Sequence, residues 1–443
     1  MPASADRCPS RAVSARNKRG LHAVRMLIIV AWFGWLGAGL LPAQDALRAS
    51  LAGETAARAR KANENIPYNI KIGPASIRFS SSIAANYVDN INVAEVGALD
   101  DLILRPEVSV DAYWAVTPQN ALNFSIGAGY SKYLNQPTND NLIIHPNSAI
   151  SFDVFVGDFK INLHDRFSYV QDPLQNGAVS GTNAAAASFG TSQNAVGVSV
   201  DWDLNKILLT VGVDHQDSFS TSSAFSYLDQ SSEFFYARPA FLLNPVLTMG
   251  LDLAGGISKY NQSGVLNNSH HYSAGPFVNW KVSEYLQLTL RGGYVVYSFD
   301  SVGSVTNVAG TNATDSGNPY ASLTLDHVLN KFITQSISAE YRVQPGVNSD
   351  AQQLLFIRHA ARWRILRGTD ISTDTYFEHS DEIRSLNALS EIYDRFGISV
   401  GASYQLSSKM TTGFGYSYTR KVSNVPTRGY TQNSVTLNLG YRF

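Results

Sequence analysis

The sequence T-Q-N-S-V-T-L-N-L-G-Y-R-F, residues 431–443, ends the chain and decides its fold. Large apolar side chains stand at every second position, and small or polar side chains stand between them. A period of two places the two sets on opposite faces of one β-strand. One apolar face and one small polar face suit a strand with lipid on one side and water on the other. An ordinary sandwich strand that ends the chain is the alternative. The apolar set is Val435, Leu437, Leu439, Tyr441 and Phe443.

The same alternation begins near Ile72 and continues through the rest of the chain. These predicted strands run to about 9–13 residues, the length that crosses a bilayer at a tilt. Strands of soluble sandwiches usually have only about 5–6 residues, so the length favours membrane-spanning strands. The clearest predicted strands are residues 122–130, 159–167, 196–202, 247–253, 286–291, 323–325, 396–404 and 412–418.

Short turns alternate with longer polar connections between these strands. Short turns at one end and long loops at the other are typical of an outer-membrane barrel. The short turns are predicted at 117–120, 156–158, 203–206, 243–246, 282–285, 329–331, 367–370 and 406–409. The long connections are predicted at 89–101, 134–141, 172–193, 218–230, 261–270, 300–318, 345–352, 380–392 and 423–431.

The number of turns predicts the number of strands. Eight short turns join sixteen strands, and a first strand near 72–88 and the last at 431–443 make eighteen. Sixteen is the alternative, because the first pair is the least regular. A β-propeller also repeats at about 40–45 residues, but each repeat here holds two long strands and not four short ones. The prediction is an all-β fold, a transmembrane antiparallel up-and-down β-barrel of about 18 strands over residues 71–443.

The composition agrees with strands in lipid. Only 16% of the 443 residues are charged, and the chain has 22 Tyr and 21 Phe. A net charge of −1 gives no basis for nucleic-acid binding. The single cysteine, Cys8, lies in the predicted leader. We therefore expect no disulfide, no cysteine-based metal site and no cofactor in the mature chain.

Residues 1–43 have the pattern of a secretory signal peptide. Residues 1–25 carry six Arg or Lys against Asp6 alone, an apolar run follows at 26–41, and the sequence L-P-A stands at 41–43. Cleavage is predicted after Ala43, with export through the periplasm to the bacterial outer membrane. An uncleaved anchor helix is the alternative. Residues 44–70 are predicted to form a short periplasmic N-terminal segment.

Three segments resemble the opening of the β-barrel porins linked to exopolysaccharide gene clusters. They are I-K-I-G-P-A-S-I-R-F (70–79), Y-V-D-N-I (87–91) and D-D-L-I-L-R-P-E-V-S-V (100–110). The resemblance implies passage or export of polysaccharide through the outer membrane. The terminal Phe443, with Tyr441 two residues before it, is similar to the assembly signal of outer-membrane barrels. That similarity implies the barrel-assembly machinery and outer-membrane lipids as partners.

In each strand the alternate positions that carry polar side chains are predicted to face the lumen. The charged residues at these positions fall into two groups. Because consecutive strands are neighbours in the wall, an acidic arc would face a basic arc. Such a field orders anionic or hydroxyl-rich solutes. The alternative is that the arginines pair with Asp374, Glu378 and Glu340 and simply fill the lumen. The predicted basic arc is Arg291, Arg342, Arg358, Arg362, Arg364 and Arg395, and the predicted acidic arc is Asp201, Asp203, Asp214 and Asp252.

These features predict a passive, porin-like channel for polar solutes related to polysaccharide, and not an enzyme. The chain contains no H-E-x-x-H, Walker or C-x-x-C motif. One alternative is a hydrolase assembled at the external rim from residues such as His270, His271 and Asp350. Another is a surface or adhesion barrel plugged by its loops. The segment A-A-A-A-S-F-G at 184–190 is predicted to fold into the lumen, as constriction loops do in porins.

Overall fold

The computed structural model describes residues 68–117, 119–175, 177–179, 184–262, 265–300, 316–385 and 390–443. The predicted signal peptide at 1–43 lies outside the described residues. So do residues 44–67 of the predicted periplasmic segment and most of the predicted connection at 300–318.

The described residues form strands joined by turns, with a few short 3-10 helices. The strands are β1 (Ile70–Ile72), β2 (Ala75–Val88), β3 (Asp101–Thr117), β4 (Asn120–Tyr133), β5 (Asn141–Ile144), β6 (Ala149–Val156), β7 (Phe159–Gln171), β8 (Gly190–Asp203), β9 (Ile207–Ser220), β10 (Gln230–Asn244), β11 (Leu247–Tyr260), β12 (Ser269–Ser283), β13 (Leu286–Phe299), β14 (Ser316–Val328), β15 (Ile333–Gln344), β16 (Ser349–Leu366), β17 (Thr369–Ser385), β18 (Ile392–Gln405), β19 (Met410–Ser423) and β20 (Tyr430–Arg442). The 3-10 helices lie at Pro137–Asn139, Pro173–Gln175, Ala184–Ser188 and Ser223–Leu228.

The strands close into one antiparallel barrel. Each wall strand pairs with its neighbours in the chain, and β20 returns to β2 in a register that begins with Ser80 opposite Arg442. β5 and β6 are two parts of one wall strand, because both pair with β4. β1 pairs only with the start of β2 and is not counted as a wall strand. The wall therefore has eighteen strands. The predicted eighteen-stranded β-barrel is confirmed, and the alternative of sixteen is wrong.

The start of the barrel differs from the predicted first strand at 72–88. Ile70–Ile72 turns back at Gly73, whose φ of +56° suits a residue without a side chain, and pairs with Ala75–Ile77. β20 pairs with β2 only from Ser80 onward, so β1 covers the part of the β2 edge that β20 leaves open. A covered edge removes unpaired backbone groups that would otherwise attract another strand.

The apolar side chains of the alternating pattern lie on the outer surface of the wall. Leu437 in β20 is 58% exposed and Leu251 in β11 is 46% exposed, because both point away from the lumen. Near the short turns, Trp114, Trp280 and Tyr285 are also exposed. An apolar band edged by aromatic side chains is what lipid contact requires.

All eight predicted short turns connect neighbouring strands at one end of the barrel. We call this end the short-turn end, and the opposite end the long-loop end. Both β2 and β20 have their free termini at the short-turn end, as expected for an even number of strands. The unbroken wall strands have from 12 residues in β15 to 18 in β16, and most of them are longer than the predicted 9–13. Among the described residues, no helix is long and apolar enough to cross a membrane.

The closing strand supplies a first testable prediction. The Phe443 ring lies 4.6 Å from Phe79 and 4.9 Å from Tyr441, measured between ring centroids. Aromatic pairs contribute about 0.5–1.5 kcal/mol each. We expect Phe443→Ala to lower the amount of folded barrel in outer membranes, measured as the heat-modifiable band on denaturing gels. Phe414→Ala removes a 50% exposed aromatic from the neighbouring strand β19 and is the matched control. Equal yields of both variants would contradict an assembly role for the C-terminus.

Candidate functional site

A cavity of about 820 Å³ lies inside the short-turn end of the barrel. Six cationic side chains and two carboxylates, those of Glu107 and Asp370, line this cavity. Positive charge therefore exceeds negative charge by four among the lining residues, counting histidine as neutral. We call this cavity the basic chamber. Its cationic side chains are Arg78, Arg362, Arg364, Arg367, Lys409 and Arg442.

The β16–β17 hairpin supplies the densest charge of the basic chamber. Arg362 and Arg364 stand on the inner parity of β16, and Asp370 follows the turn at 367–368. Arg362 Nη2 lies 2.6 Å from one Asp370 oxygen, and Arg364 Nε lies 3.4 Å from the other. The two arginine side chains are 50% and 57% exposed. One carboxylate thus orients two arginines without neutralising both, and exposed pairs of this kind are weak enough for a solute anion to compete.

An interruption of the wall brings a histidine into the same chamber. Residues 145–148 lie between β5 and β6 and oppose only residues 126–127 of β4. Such bulges re-aim side chains. His145 Nε2 lies 3.5 Å from Glu107 Oε1, and a Cβ on Gly127 would lie 2.8 Å from the imidazole ring. His145 is not among the residues predicted from the sequence, because it does not fit the alternation of a strand. The break in the alternation, which contains Pro146, is the feature that could have indicated it.

The other arginines of the predicted basic arc are each close to a carboxylate. Three of these four arginines lie beside Asp374, Glu378 or Glu340, the carboxylates of the alternative given by the sequence, whereas Arg291 lies near Asp252. Side chains on neighbouring strands, or two residues apart on one strand, share the inner face, which brings three of these pairs within reach. Arg291 of β13 approaches Asp252 of β11 across the intervening β12. The pairs are Arg358–Asp374 (2.7 Å), Arg342–Glu340 (3.0 Å), Arg291–Asp252 (3.9 Å) and Arg395–Glu378 (2.5 Å).

The predicted acidic arc lies on the inner parity of β8, β9 and β11, and its carboxylates also have partners. Arg238 of β10, which is not among the residues predicted from the sequence, pairs with Asp252. Its position on the lumen-facing side of the alternating pattern in β10 could have indicated it. Cations and anions are therefore interleaved at short range on this wall. The partners of the other three are His164 for Asp214 (2.7 Å), the Thr210 hydroxyl for Asp201 (2.6 Å) and the Asn205 N–H for Asp203 (2.8 Å).

The described residues between β7 and β8, which are 172–175, 177–179 and 184–189, lie in the interior of the barrel, and we call the segment 172–189 the strap. Val179 and Phe189 of the strap belong to one buried cluster with Tyr393 of β18 and Val347, which precedes β16. β8 and β18 are the sixth and sixteenth strands of the wall, so the strap reaches across the lumen. The predicted inward fold of 184–190 agrees with this burial. Residues 176 and 180–183 of the strap lie outside the described residues.

Buried polar groups clamp the strap to the wall. Arg395, 2% exposed, donates from Nη1 to the Leu174 carbonyl (2.7 Å) and from Nη2 to Glu378 Oε2 (2.5 Å). The Tyr393 hydroxyl donates to the other Glu378 oxygen (2.6 Å). A Cβ on Gly177 would lie 2.4 Å from Glu378 Oε1, so glycine permits this close approach. The guanidinium of Arg395, a residue of the predicted basic arc, thus contacts the strap.

The motif residues behind the porin resemblance have structural partners. The Asp89 carboxylate accepts hydrogen bonds from the backbone and side-chain amides of Asn433 (2.7 and 2.6 Å), which ties the first loop to β20. The buried Asp101 carboxylate accepts from the backbone N–H groups of residues 134–136 (2.8–2.9 Å). These carboxylates therefore brace the long-loop end.

Asp350, one of the residues considered for a rim enzyme, is buried with polar partners. The Asp350 carboxylate accepts from the backbone and side-chain amides of Asn267 (2.8 and 2.9 Å). The sequence G-I-S-V-G at 397–401 has the spacing of a nucleophile elbow, but it lies within β18 and not at a strand-to-helix turn. Among the described residues, no group of three or more His, Cys, Asp or Glu could hold a metal ion.

No protein-family model matches the chain, and no curated protein matches it. Among solved structures, it is similar to Pseudomonas aeruginosa OccK2 (OpdF) in complex with glucuronate, at 10% identity and a TM-score of 0.47, over 83% of this chain and 98% of that one. It is similar to Pseudomonas aeruginosa OpdK with vanillate at 9% identity and a TM-score of 0.45, over 83% and 99%. Acinetobacter baumannii OccAB3 gives 11% identity and a TM-score of 0.46, also over 83% and 99%. At such scores, any assignment of function rests on the residues of this chain.

Proposed function

We propose that the protein is an outer-membrane channel that passes small polar solutes and prefers anions. The basic chamber is the observation that carries this proposal. Its volume of about 820 Å³ lies within the range of about 300–1,000 Å³ that is usual for small-ligand sites. Its excess of four positive charges would raise the local concentration of anions in a narrow lumen.

The wall supports an outer-membrane location. A closed antiparallel barrel leaves no unpaired strand edge, and its outer surface is apolar between aromatic side chains. The predicted signal peptide at 1–43 would deliver the chain to the periplasm, and the C-terminal Phe443 would serve assembly.

Passage of polysaccharide, which the resemblance at 70–110 implies, is the finer form of the proposal. A polymer would have to thread past the strap, which is held at Leu174 by Arg395 and at Ala178 by Asn348. With the strap in place, the basic chamber can accommodate a small anionic solute. We therefore propose small solutes as the cargo, with polymer passage only when the strap is displaced.

Ion selectivity in a planar bilayer tests the proposal. The purified protein should conduct steadily and prefer chloride over potassium, measured as the reversal potential in a salt gradient. Arg362→Gln combined with Arg364→Gln removes two of the six cations of the chamber. At about 4 Å in water a unit charge contributes about 1 kcal/mol, so we expect the anion preference to fall about fivefold or more.

The matched control is Arg420→Gln, which removes an exposed cation on the outer parity of β19. Its reversal potential should equal that of the unaltered protein. Unchanged selectivity in the Arg362→Gln, Arg364→Gln variant would overturn the role of the chamber. Complete absence of conductance from a folded barrel would favour a plugged surface barrel, with the strap as the plug.

A further inference from the structure

A second cavity, of about 240 Å³, lies on the inner wall formed by β10 to β15. Its lining residues and those of the basic chamber have no member in common. We call it the aromatic cavity, because rings from β10, β12, β13 and β14 line it. The rings on the inner face belong to Phe234, Tyr236, His271, Tyr297 and Tyr320, whereas Phe235, which also borders the cavity, is 49% exposed on the outer face.

Three of these rings form a row across the wall. The His271 and Tyr297 rings are stacked, with centroids 4.9 Å apart and an angle of 27° between planes, and Phe234 lies 6.1 Å from His271. Gly256 stands between Phe234 and His271 in the pairing of β10, β11 and β12. A Cβ on Gly256 would lie 2.4 Å from the His271 ring and 3.0 Å from the Phe234 ring. Glycine at this position therefore keeps the ring surface continuous.

The polar groups of the aromatic cavity are largely charge-compensated. Three arginines and two carboxylates line it, and each arginine lies near a carboxylate. Gln230 also lines the cavity, and its side-chain oxygen is buried without a hydrogen-bond partner among the described residues. The cavity thus offers donors and acceptors side by side, with an excess of one positive charge against four in the basic chamber. The charged pairs are Arg238–Asp252, Arg291–Asp252 and Arg342–Glu340.

We propose that the aromatic cavity is a binding subsite for one ring of an uncharged hydroxylated solute, a pyranose sugar in chemical class. The apolar C–H face of such a ring stacks on aromatic side chains, while its hydroxyl groups donate to carboxylate or amide oxygens and accept from guanidinium groups. A volume of 240 Å³, below the range of about 300–1,000 Å³ for larger ligands, limits the occupant to about one ring. The inference deepens the proposed function, since the solute would reach the subsite through the lumen.

Saturation-transfer NMR on the protein purified in detergent tests the subsite, with methyl α-glucopyranoside and methyl β-galactopyranoside as probes and benzoate as the charged planar comparison. We expect transfer to the C–H protons of at least one glycoside. Tyr297→Ala should weaken glycoside binding about tenfold, as loss of an aromatic anchor commonly does. Tyr297→Phe, which keeps the ring, should retain it. Gly256→Val should abolish it by filling the space between the rings.

The control variant is Tyr272→Ala, next to His271 in β12 but on the outer face and 65% exposed. It should leave glycoside binding unchanged. The measurement on the unaltered protein is sufficient to test the proposal. If saturation transfers to neither glycoside, or to benzoate alone, the proposed sugar subsite is wrong. Chloride selectivity measured on the same preparations reports on the basic chamber separately. Failure of the sugar subsite therefore stays distinct from failure of the channel proposal.

Discussion

Replacing Arg395 with methionine is expected to release the strap and raise the single-channel conductance of the barrel. Arg395 makes the hydrogen bond to the Leu174 carbonyl and the ion pair with Glu378, and Glu378 is itself only 3% exposed. Methionine keeps much of the volume but leaves a buried carboxylate without its cation. Breaking a buried pair from one side costs about 3–5 kcal/mol. Moving the strap would let water reach Glu378, so we expect this cost to favour the open arrangement.

Conductance and proteolysis together measure this release. Arg395→Met should give larger conductance steps than the unaltered protein, and proteinase K should cut within residues 172–189. Arg358→Met is the matched control, because Arg358 pairs with Asp374 along the wall. Arg395→Met combined with Glu378→Gln should recover thermal stability, since no unpaired charge remains, while the strap stays free of its Leu174 anchor. Unaltered conductance and cleavage in Arg395→Met would show that Arg395 does not hold the strap.

Replacing Glu391 with alanine is expected to destabilise the long-loop end by about 3–5 kcal/mol. Its carboxylate is fully buried and lies 2.7 Å from both Lys421 Nζ and Arg428 Nη1. The Lys421 side chain is also fully buried, above the Tyr393 ring at 4.5 Å. Without Glu391 the Lys421 amine would stay buried over the Tyr393 ring without its carboxylate partner, which is costly whether or not the amine is protonated. Urea unfolding of the barrel in lipid vesicles measures the change.

An exposed carboxylate on the same wall provides the control for Glu391. Asp394 pairs with His379, and its side chain is 59% exposed. Because exposed pairs contribute about 0–1 kcal/mol, Asp394→Ala should leave the unfolding midpoint close to that of the unaltered protein. Adding Lys421→Met to Glu391→Ala should restore part of the lost stability. Equal unfolding midpoints for Glu391→Ala and Asp394→Ala would refute the importance of the buried cluster.

The strand count and the two faces of each strand could be predicted from the sequence because both depend on local alternation. The pattern around Val435 to Phe443 assigns inside and outside without knowledge of any partner. The same rule placed Arg362 and Arg364 on the inner parity, and both line the basic chamber. The alternation rule failed at His145, where extra residues interrupt the alternation. It also failed at residues 70–72, which form a separate strand that pairs antiparallel with β2.

The sequence by itself determined that this chain forms a barrel of eighteen alternating strands with its charges on the inner face. Only the tertiary structure decided what those charges do. Arg395 and Leu174 are 221 residues apart in the chain, and their contact depends on a strap that crosses the lumen. The place of Gly256 between two rings likewise depends on the register of three strands. The alternation of side chains depends only on neighbouring residues in the chain. Contacts between side chains across the lumen form only when the barrel wall closes.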